Sequence, residues 1–401
     1  MKITVCPISG SKQSIEFINL GNVPLVNNLL KTRADALSCK RYPLAVQFFT
    51  DSRLACLTEI VNKDKLFLNY IYQSGVNKPY LDHCGKMYDY LSKFINIEKA
   101  TTIVDIGGND GSLLMEFRRK SALPEYINVD ASKSFKKINE EAGIVYINEF
   151  FGEGSRLERP ALLITSTNVL QHSYPARSFI RGVSANLCRS GIWCLEFPYL
   201  LTTLVTDNYD QVYHEHVYYF LLKNINDLCE QEGMRIINVS YHEIHAGTLR
   251  VLAVRSDSWM VPDSTVASFL SIEKIITPEY CEKWGKLTQM KIELFRSFIR
   301  SLVGMKKRII GFGAAAKGCV FLNTVGIDYK VIPYIIDDTP FKQGKFIPGT
   351  GIQVVHRDML TVEKPDYILI LAHNFKDYII ESLKDQYSGQ FIVMFPDIKI
   401  L

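Results

Sequence analysis

Two glycine-rich turns, each placed between a buried apolar strand and a helix, constrain the possible folds of this chain more than any other feature. The first turn covers residues 107–111 and follows the apolar run 103–106, and the second covers residues 311–318 and follows the run 308–310. Strand–turn–helix units of this kind build parallel sheets with helices on both faces. The sequence therefore predicts an α/β protein with two ligand sites, one at each turn.

Three regions follow one another along the chain. Residues 1–75 are turn-rich and predict a small N-terminal lobe, whereas residues 76–255 and 256–401 each alternate strands and helices and predict one α/β domain apiece. A long helix is expected from Thr277, a good N-cap, to Val303. Five of its apolar residues repeat near helical spacing and are expected in the core: Trp284, Leu287, Leu294, Phe298 and Leu302.

Composition excludes several classes of protein. A net charge of +4 over 401 residues is too small to indicate a nucleic-acid or anionic-membrane partner. Neither a secretory signal nor an apolar run long enough to span a bilayer is recognisable. The nine cysteines contain no Cys-x-x-Cys pair, which is typical of reduced thiols. We expect a cytoplasmic monomer that binds neither nucleic acid nor a membrane.

The first turn is predicted to bind a nucleoside-containing cofactor. Gly107 and Gly111 frame the turn, Asp105 stands near the end of the strand, and Asp130 ends the next strand. An acidic residue at the position of Asp130 commonly takes ribose hydroxyls, and a carboxylate at Asp105 can hold a ligand ammonium. The pattern is typical of class I methyltransferases that bind S-adenosylmethionine. Nicotinamide enzymes share the topology, and a plain tight turn remains an alternative.

The second turn is a candidate phosphate site. Backbone amides at the start of the following helix can cradle phosphates, Gly313 lets the chain turn sharply, and Lys317 adds positive charge. The spacing is not that of a P-loop. A helix start that only packs closely on its strand is the alternative.

The segment 213–216, Tyr-His-Glu-His, carries the strongest catalytic signal. If the segment is extended, Tyr213 and Glu215 face one way and His214 and His216 the other. Histidine beside a carboxylate suits general acid–base work, although metal binding and a polar surface loop are alternatives. His172 follows a predicted strand at a position where α/β enzymes place catalytic groups, or it is a structural histidine.

An ordered series of motifs over nearly the whole chain resembles the sugar C-methyltransferases that make 3-C-methyl deoxysugars in antibiotic and surface-polysaccharide pathways. The motifs are GNVPLVNN at 21–28, YIYQS at 70–74, NVLQH at 168–172, EFPYL at 196–200, YHEH at 213–216, HAGTLR at 245–250, GFGAAAKG at 311–318, KQGKFIPGT at 342–350 and NFKD at 374–377. The resemblance implies a zinc-binding N-terminal lobe, a central S-adenosylmethionine domain and a C-terminal Rossmann-like domain for the nucleotide sugar.

The resemblance also implies the reaction and the residues that carry it. A methyl group would pass from S-adenosylmethionine to C3 of a nucleotide-linked 4-keto-deoxysugar, after a base has removed the C3 proton. The base is expected at His216, while Tyr213, Glu215 and His172 orient the sugar or stabilise the enolate oxygen, and Tyr72 contacts the sugar. Ligand binding is expected at these residues: Asp105, Gly107, Gly111, Asp130 and Asn168 for the cofactor, and Gly313, Lys317 and Asn374 for the sugar nucleotide.

One departure from the family concerns zinc. The first expected cysteine pair reads Cys6-Pro7-Ile8-Ser9, and the second falls at 49–53 with no cysteine. Four ligands are needed for structural zinc, so we expect no metal in this chain and a lobe held by Phe17, Leu20, Phe48 and Phe49. Three other functions stay open from the sequence: a sugar O-methyltransferase, a nicotinamide-dependent oxidoreductase and a catalytically silent nucleotide-sugar-binding protein.

Overall fold

The computed structural model describes residues 1–67, 75 and 78–401. In this part of the chain the strands form three β-sheets, of four, seven and six strands. None of the helices within the described ranges has both the length and the apolar composition needed to cross a bilayer.

The four-stranded sheet belongs to the N-terminal lobe and is antiparallel throughout. In spatial order its strands are β1 (Ser14–Pro24), β2 (Arg41–Phe49), β3 (Ala55–Leu57) and β9 (Tyr218–Tyr219), and the lobe also holds the short helices α1 (Arg33–Ser38) and α2 (Lys63–Phe67). Strand β9 follows the segment 213–216 directly. The lobe sheet is therefore completed by the same stretch of chain that carries the predicted catalytic residues.

Aromatic packing holds the lobe together. Phe17, Phe48 and Phe49 are buried and Leu20 is partly buried against the same core, as the sequence predicts. A Cβ atom at Gly285 would overlap the backbone oxygen of Phe17, so only glycine lets the long C-terminal helix approach β1 this closely.

The seven-stranded sheet is the central domain and has the order β10-β11-β8-β7-β4-β5-β6. Its strands are β4 (Thr102–Ile106), β5 (Glu125–Val129), β6 (Val145–Ile147), β7 (Ala161–Thr167), β8 (Leu187–Pro198), β10 (Met234–His242) and β11 (Thr248–Arg255). All pairs are parallel except those made by β11, which is antiparallel to both neighbours. The α/β domain with a mostly parallel sheet that the sequence predicts for this region is confirmed.

The helices of this region are α3 (Lys78–Leu91), α4 (Ser112–Lys120), α5 (Lys136–Glu141), α6 (Ala176–Asn186), α7 (Leu200–Val205), α8 (Leu222–Gln231) and α9 (Ser264–Ile272). Helix α9 packs against β10, where the hydroxyl of Thr265 accepts a hydrogen bond from the N–H of Val239 at 2.9 Å. This contact ties residues beyond 255 to the central sheet.

The six-stranded sheet is Rossmann-like, with the order β14-β13-β12-β15-β16-β17 and parallel pairing except at β17. Its strands are β12 (Ile309–Phe312), β13 (Tyr334–Ile336), β14 (Gln353–Val355), β15 (Tyr367–Ile370), β16 (Gln390–Val393) and β17 (Lys399–Ile400). The accompanying helices are α10 (Pro278–Gly304), α11 (Ala316–Val325), α12 (Met359–Glu363) and α13 (Lys376–Leu383).

Helix α10 begins after Thr277, whose side chain accepts a hydrogen bond from the backbone of Tyr280, as predicted. Trp284 and Leu302 are buried and Phe298 is partly buried, but the core prediction is wrong for Leu287 and Leu294, which are 45% and 58% exposed. At 100° per residue, these two leucines lie 60–80° away from the face marked by Trp284, at the edge of the stripe that packs inward.

Candidate active site

A cavity of about 930 Å³ lies where the three units meet. Its wall combines the carboxyl ends of the central strands, the second glycine turn and the loop after β1. Nine of the predicted site residues line it: Gly107, Asp130, Asn168, His172, Tyr213, Glu215, His216, Lys317 and Asn374. Tyr72 lies outside the described residues.

The segment 213–216 forms a turn, so the facing pattern that an extended segment would give does not apply. The N–H of His216 donates to the carbonyl of Tyr213 at 3.0 Å, which brings these two side chains to the same side. Tyr213, Glu215 and His216 therefore all line the cavity. His214 points elsewhere, with its Nε2 3.2 Å from the carbonyl oxygen of Tyr42 in the lobe.

His216 is held in one tautomer by its backbone contact. Its Nδ1 lies 2.9 Å from the carbonyl oxygen of Gln211, which can only accept, so Nδ1 carries the proton and Nε2 is left as the basic nitrogen. The hydroxyl of Tyr213 lies 2.6 Å from that Nε2 and donates to it. Burial, together with His172 and Lys317, holds the pKa of His216 well below its usual value. The imidazole is therefore neutral at physiological pH.

His172 is placed in the same way beside it. Its Nδ1 lies 2.6 Å from the carbonyl oxygen of Glu215, and the amide of Gln171 lies 3.3 Å from its Nε2. The rings of His172 and His216 have centroids 5.1 Å apart. Burial lowers the pKa of His172 to about 4. Two neutral imidazoles therefore share one wall of the cavity.

Glu215 is a buried carboxyl group whose partner comes from the lobe. Asn27 Nδ2 lies 2.8 and 2.7 Å from its two carboxylate oxygens. Burial raises the pKa of Glu215 to about 7, and the hydrogen bond from Asn27 opposes that rise. The side chain is thus poised between its acid and its carboxylate near neutral pH. Asn27 is a functional residue that the sequence reasoning missed, although it stands within the motif at 21–28.

The first glycine turn forms the opposite wall. Gly107 has φ +68°, and a Cβ there would strike Val169, so the backbone stays open to the cavity. Asp130 accepts hydrogen bonds from the N–H groups of Asn109 at 3.0 Å and Ser132 at 2.7 Å, which fixes its carboxylate at the rim. Asn168 has a positive φ of 56°, and its buried Oδ1 has no hydrogen-bond partner among the described residues.

Three predicted ligand residues do not reach the cavity wall. Asp105 lies beneath Gly108 and accepts a hydrogen bond from Thr165 Oγ1 at 2.8 Å, and burial raises its pKa to about 7. Gly111, with φ +80°, and Gly313, with φ +91°, give the two turns their backbone conformation without lining the cavity. The prediction that Asp105 contacts the ligand stays a prediction, because its carboxyl group lies outside the cavity wall while its Oδ2 has no hydrogen-bond partner among the described residues.

The second glycine turn contributes positive charge. Lys317 Nζ is buried and makes no hydrogen bond within the described ranges, and burial lowers its pKa. Lys342 also lines the cavity and was missed by the sequence reasoning, although it begins the motif at 342–350. Its Nζ donates to Asp337 Oδ2 at 3.0 Å and to the carbonyl oxygen of Ala314 at 3.1 Å. These contacts fasten the loop after β13 to the turn.

The remaining two motifs have a structural role. Arg250 Nε donates to Glu196 Oε1 at 2.7 Å, and both side chains are 1% exposed. His83 Nε2 lies 2.9 Å from the same carboxylate. This buried pair joins β11 to β8 and does not line the cavity, whereas Pro198 of the motif at 196–200 does.

The fold and this cavity define a methyltransferase. Comparison with known proteins shows which kind of methyltransferase the chain resembles. A family model described as the C-methyltransferase C-terminal domain matches residues 243–396, and one described as a putative zinc binding domain matches residues 6–67. C-methyltransferase NovU of Streptomyces niveus is 28% identical over 409 residues, covering 100% of this chain and 97% of that protein. The two family models and the full-length similarity to NovU support an S-adenosylmethionine-dependent C-methyltransferase.

Among solved structures the similarity is partial. Mitomycin 7-O-methyltransferase MmcR and magnesium protoporphyrin IX methyltransferase of Synechocystis PCC 6803 with bound S-adenosylmethionine are each 14% identical, with TM-scores of 0.36 and 45% of this chain covered. The match spans 55% of the first chain and 82% of the second. The family models and the similarity to NovU, and not these likenesses, support a methyltransferase over the oxidoreductase alternative.

The residues around the first turn fit S-adenosylmethionine. The unpartnered Oδ1 of Asn168 and the open backbone at Gly107 offer polar contacts, and Asp130 offers a carboxylate for ribose hydroxyls. The lobe does not fit zinc in the same way. Cys6 Sγ lies 3.1 Å from Ser52 Oγ and 3.5 Å from the N–H of Ser9. Hydroxyls thus stand where cysteines were expected, and the described ranges hold no cluster of three or more His, Cys, Asp or Glu suited to a metal.

Proposed function

We propose that this protein transfers a methyl group from S-adenosylmethionine to C3 of a nucleotide-linked 4-keto-deoxysugar. One observation carries the proposal: two neutral histidines, a tyrosine and a protonatable glutamate converge in a single cavity between the cofactor turn and a buried lysine. Methylation at carbon requires a base and an acid of this kind, because the carbon must first be made nucleophilic.

His216 is proposed as the base that takes the C3 proton. Its Nδ1–H is engaged with the carbonyl of Gln211, so Nε2 is the nitrogen with a lone pair. Tyr213 donates to this nitrogen before the substrate arrives and thereby holds the ring in place. A neutral imidazole in a buried site is competent to accept a proton without first losing one.

Glu215 is proposed to stabilise the oxygen at C4 as negative charge develops there. A carboxylic acid kept neutral by burial can donate a hydrogen bond to an enolate, and the pKa of about 7 leaves a large protonated fraction near neutral pH. His172, whose Nδ1 is held by the carbonyl of Glu215, orients the sugar beside it.

Ligand binding divides between the two turns in this proposal. Asp130, Asn168 and the backbone at Gly107 hold the cofactor, which supplies an electrophilic methyl group when bound. Lys317 and Asn374 hold the sugar nucleotide, with Lys317 facing the diphosphate. Alignment of the two ligands across one cavity supplies the positioning that the transfer needs.

Three further points belong to the proposal. The domain boundaries are taken at residues 75 and 255, although α9 and strand β9 show that each domain also contacts its neighbours. The protein is proposed to work as a cytoplasmic monomer. Its nine cysteines, all within the described residues, form no disulfide, which suits a reducing compartment.

The direct test is incubation of the protein with S-adenosylmethionine and a panel of 4-keto-deoxysugar nucleotides. Mass spectrometry should show a gain of one methyl group, and NMR of the product should place that methyl on C3. A methyl found on oxygen would contradict the proposal and favour an O-methyltransferase. No methyl transfer to any sugar of the panel would contradict the substrate class.

A further inference from the structure

A second polar cluster lies beside the catalytic residues, where the central and C-terminal units meet. Asp210 is 1% exposed, and its Oδ2 lies 3.3 Å from Nδ1 of His373. Lys317 approaches the same carboxylate closely enough to interact with it electrostatically. Asp210 belongs to the central unit, whereas His373 and Lys317 follow strands of the C-terminal sheet.

Two side chains that line the cavity carry a buried polar atom without a hydrogen-bond partner among the described residues, and both carboxylate oxygens of Asp210 lack one too. His373 Nε2 and Lys317 Nζ are both buried, and neither makes a hydrogen bond within the part of the chain that the structure describes. Both residues line the cavity. A buried polar group without a partner costs free energy, so a ligand that supplies acceptors at this position is favoured. An anion with several oxygens, such as a diphosphate, satisfies both groups at once.

The chemistry of the imidazole then determines its protonation. A neutral histidine donates from only one ring nitrogen, and Nδ1 faces the Asp210 carboxylate at 3.3 Å, which favours the proton of the neutral ring on Nδ1. Nε2 of the neutral ring would present a lone pair to the phosphate oxygens, which are also acceptors. Only the imidazolium form can serve both anions.

Resting on the function proposed above, we propose that His373 binds a phosphate oxygen of the substrate through Nε2–H as an imidazolium, and that one proton is taken up from solvent with the substrate. The proton adds to Nε2, and no other bond forms or breaks. Asp210 is the positioning residue, since its carboxylate faces Nδ1 at 3.3 Å and supplies the counter-charge.

The charged groups around His373 are consistent with a ring that is neutral before the substrate binds. Burial lowers its pKa, and the positive charges of Lys317 and Lys376 act in the same direction, while Asp210 acts against them. The phenyl ring of Phe395, with its centroid 4.9 Å away, adds no charge. The negative charges of a diphosphate reverse this balance when they arrive.

The cluster is also joined to the proposed base. Asp210 precedes Gln211 in the chain, and the carbonyl of Gln211 accepts the hydrogen bond from Nδ1 of His216. Both contacts therefore originate in the short helical turn Tyr209–Gln211. The phosphate subsite and the base are positioned by one turn of the backbone.

Isothermal titration calorimetry of the full chain tests the proposal. The probes are thymidine diphosphate glucose and guanosine diphosphate mannose, whose phosphate groups hold no proton near neutral pH. Binding is measured from pH 7 to 9 in two buffers of different ionisation enthalpy, which reports the protons exchanged. We expect uptake approaching one proton per complex, and a Kd that rises by up to about tenfold per pH unit, the limit for binding linked to one proton.

Two variants assign that proton. His373→Gln keeps a neutral amide donor and should bind with a Kd independent of pH and with the uptake lost. His356→Gln is the matched control, because His356 also sits beside an aspartate, 2.9 Å from Asp358, but is 53% exposed and does not line the cavity. It should behave as the wild type does.

The outcomes separate the two proposals. Binding of either nucleotide by the wild type without proton uptake contradicts the role of His373 and leaves the proposed function standing. Proton uptake that persists unchanged in His373→Gln also contradicts the role of His373. Failure of the wild type to bind both nucleotides contradicts the proposed function and the inference together. If His373→Gln does not fold, His373→Asn takes its place, and binding by the wild type without proton uptake still contradicts the role of His373.

Discussion

Removing the side-chain amide of Asn27 tests how the lobe controls the protonation of Glu215. The Nδ2 of Asn27 lies 2.8 and 2.7 Å from the two carboxylate oxygens, in a buried site where the pKa is about 7. A hydrogen bond to a charged group stabilises it by about 1.5–3 kcal/mol, and one pKa unit corresponds to about 1.4 kcal/mol. Asn27→Ala should therefore raise the pKa of Glu215 by about 1–2 units.

The pH dependence of kcat for methyl transfer at saturating substrate is the assay, because kcat leaves out the pH-dependent substrate binding proposed for His373. In the proposed mechanism Glu215 acts as a protonated donor, so activity is present below its pKa and is lost as the pH rises through that value. The wild type should lose activity above a pH of about 7. In Asn27→Ala the alkaline limb should move upward by about 1–2 pH units, following the pKa of the carboxyl group. The acid limb, which belongs to His216, should stay well below pH 6.5.

Two controls make this result specific. Glu215→Gln keeps a donor that does not titrate, so its alkaline limb at this pH should disappear. Asn19→Ala removes an asparagine that also donates to a glutamate of the lobe, Glu16 at 2.9 Å, but on the surface, and it should leave the profile unchanged. An alkaline limb that stays in place or moves downward in Asn27→Ala would refute the assignment of Glu215 as the acid.

The remaining predictions concern the base, the two ligand sites and zinc. His216→Asn should bind both ligands yet lower kcat by about 10²-fold or more. Tyr213→Phe, which removes only the hydroxyl that holds Nε2, should lower kcat by about tenfold. Equal losses of kcat in the two variants would make Tyr213 the proton acceptor. Asp130→Ala should weaken S-adenosylmethionine and spare the sugar nucleotide in calorimetry, and Lys317→Ala should do the reverse, so equal loss of both ligands would contradict two separate sites. Elemental analysis should find well under one zinc per chain, and a chelator should leave the Tm unchanged, because Cys6 Sγ lies against the hydroxyl of Ser52. Stoichiometric zinc would overturn the expectation of a lobe without metal.

Much of the fold could be predicted because the central strands are continuous apolar runs ending in a glycine or an acid. Strand β4 before Gly107 and strand β5 before Asp130 lie where the sequence placed them, and so does the helix after Thr277. Strand β9 could not be predicted, because a two-residue strand that pairs with β3 about 160 residues earlier leaves no local pattern.

Most of the predicted site residues line the cavity, but their arrangement could not be predicted. The sequence left the conformation of the segment 213–216 open, and the backbone hydrogen bond from His216 to Tyr213 makes it a turn. Asn27 and His373 were missed as site residues because their partners, Glu215 and Asp210, lie more than 150 residues away in sequence. Contacts of that kind depend on how three units pack, which local periodicity does not encode.

Exchange of the C3 proton in D₂O tests the central claim most directly, because it reports the base without requiring methyl transfer. A 4-keto-deoxysugar nucleotide that the protein methylates is incubated with protein but without S-adenosylmethionine, and NMR follows loss of the C3 proton signal. The wild type should exchange this proton for deuterium much faster than the substrate does without protein. His216→Asn should lower the exchange rate to near that background rate. Equal exchange by His216→Asn and the wild type, or deuterium found elsewhere on the sugar while C3 keeps its proton, would contradict the account.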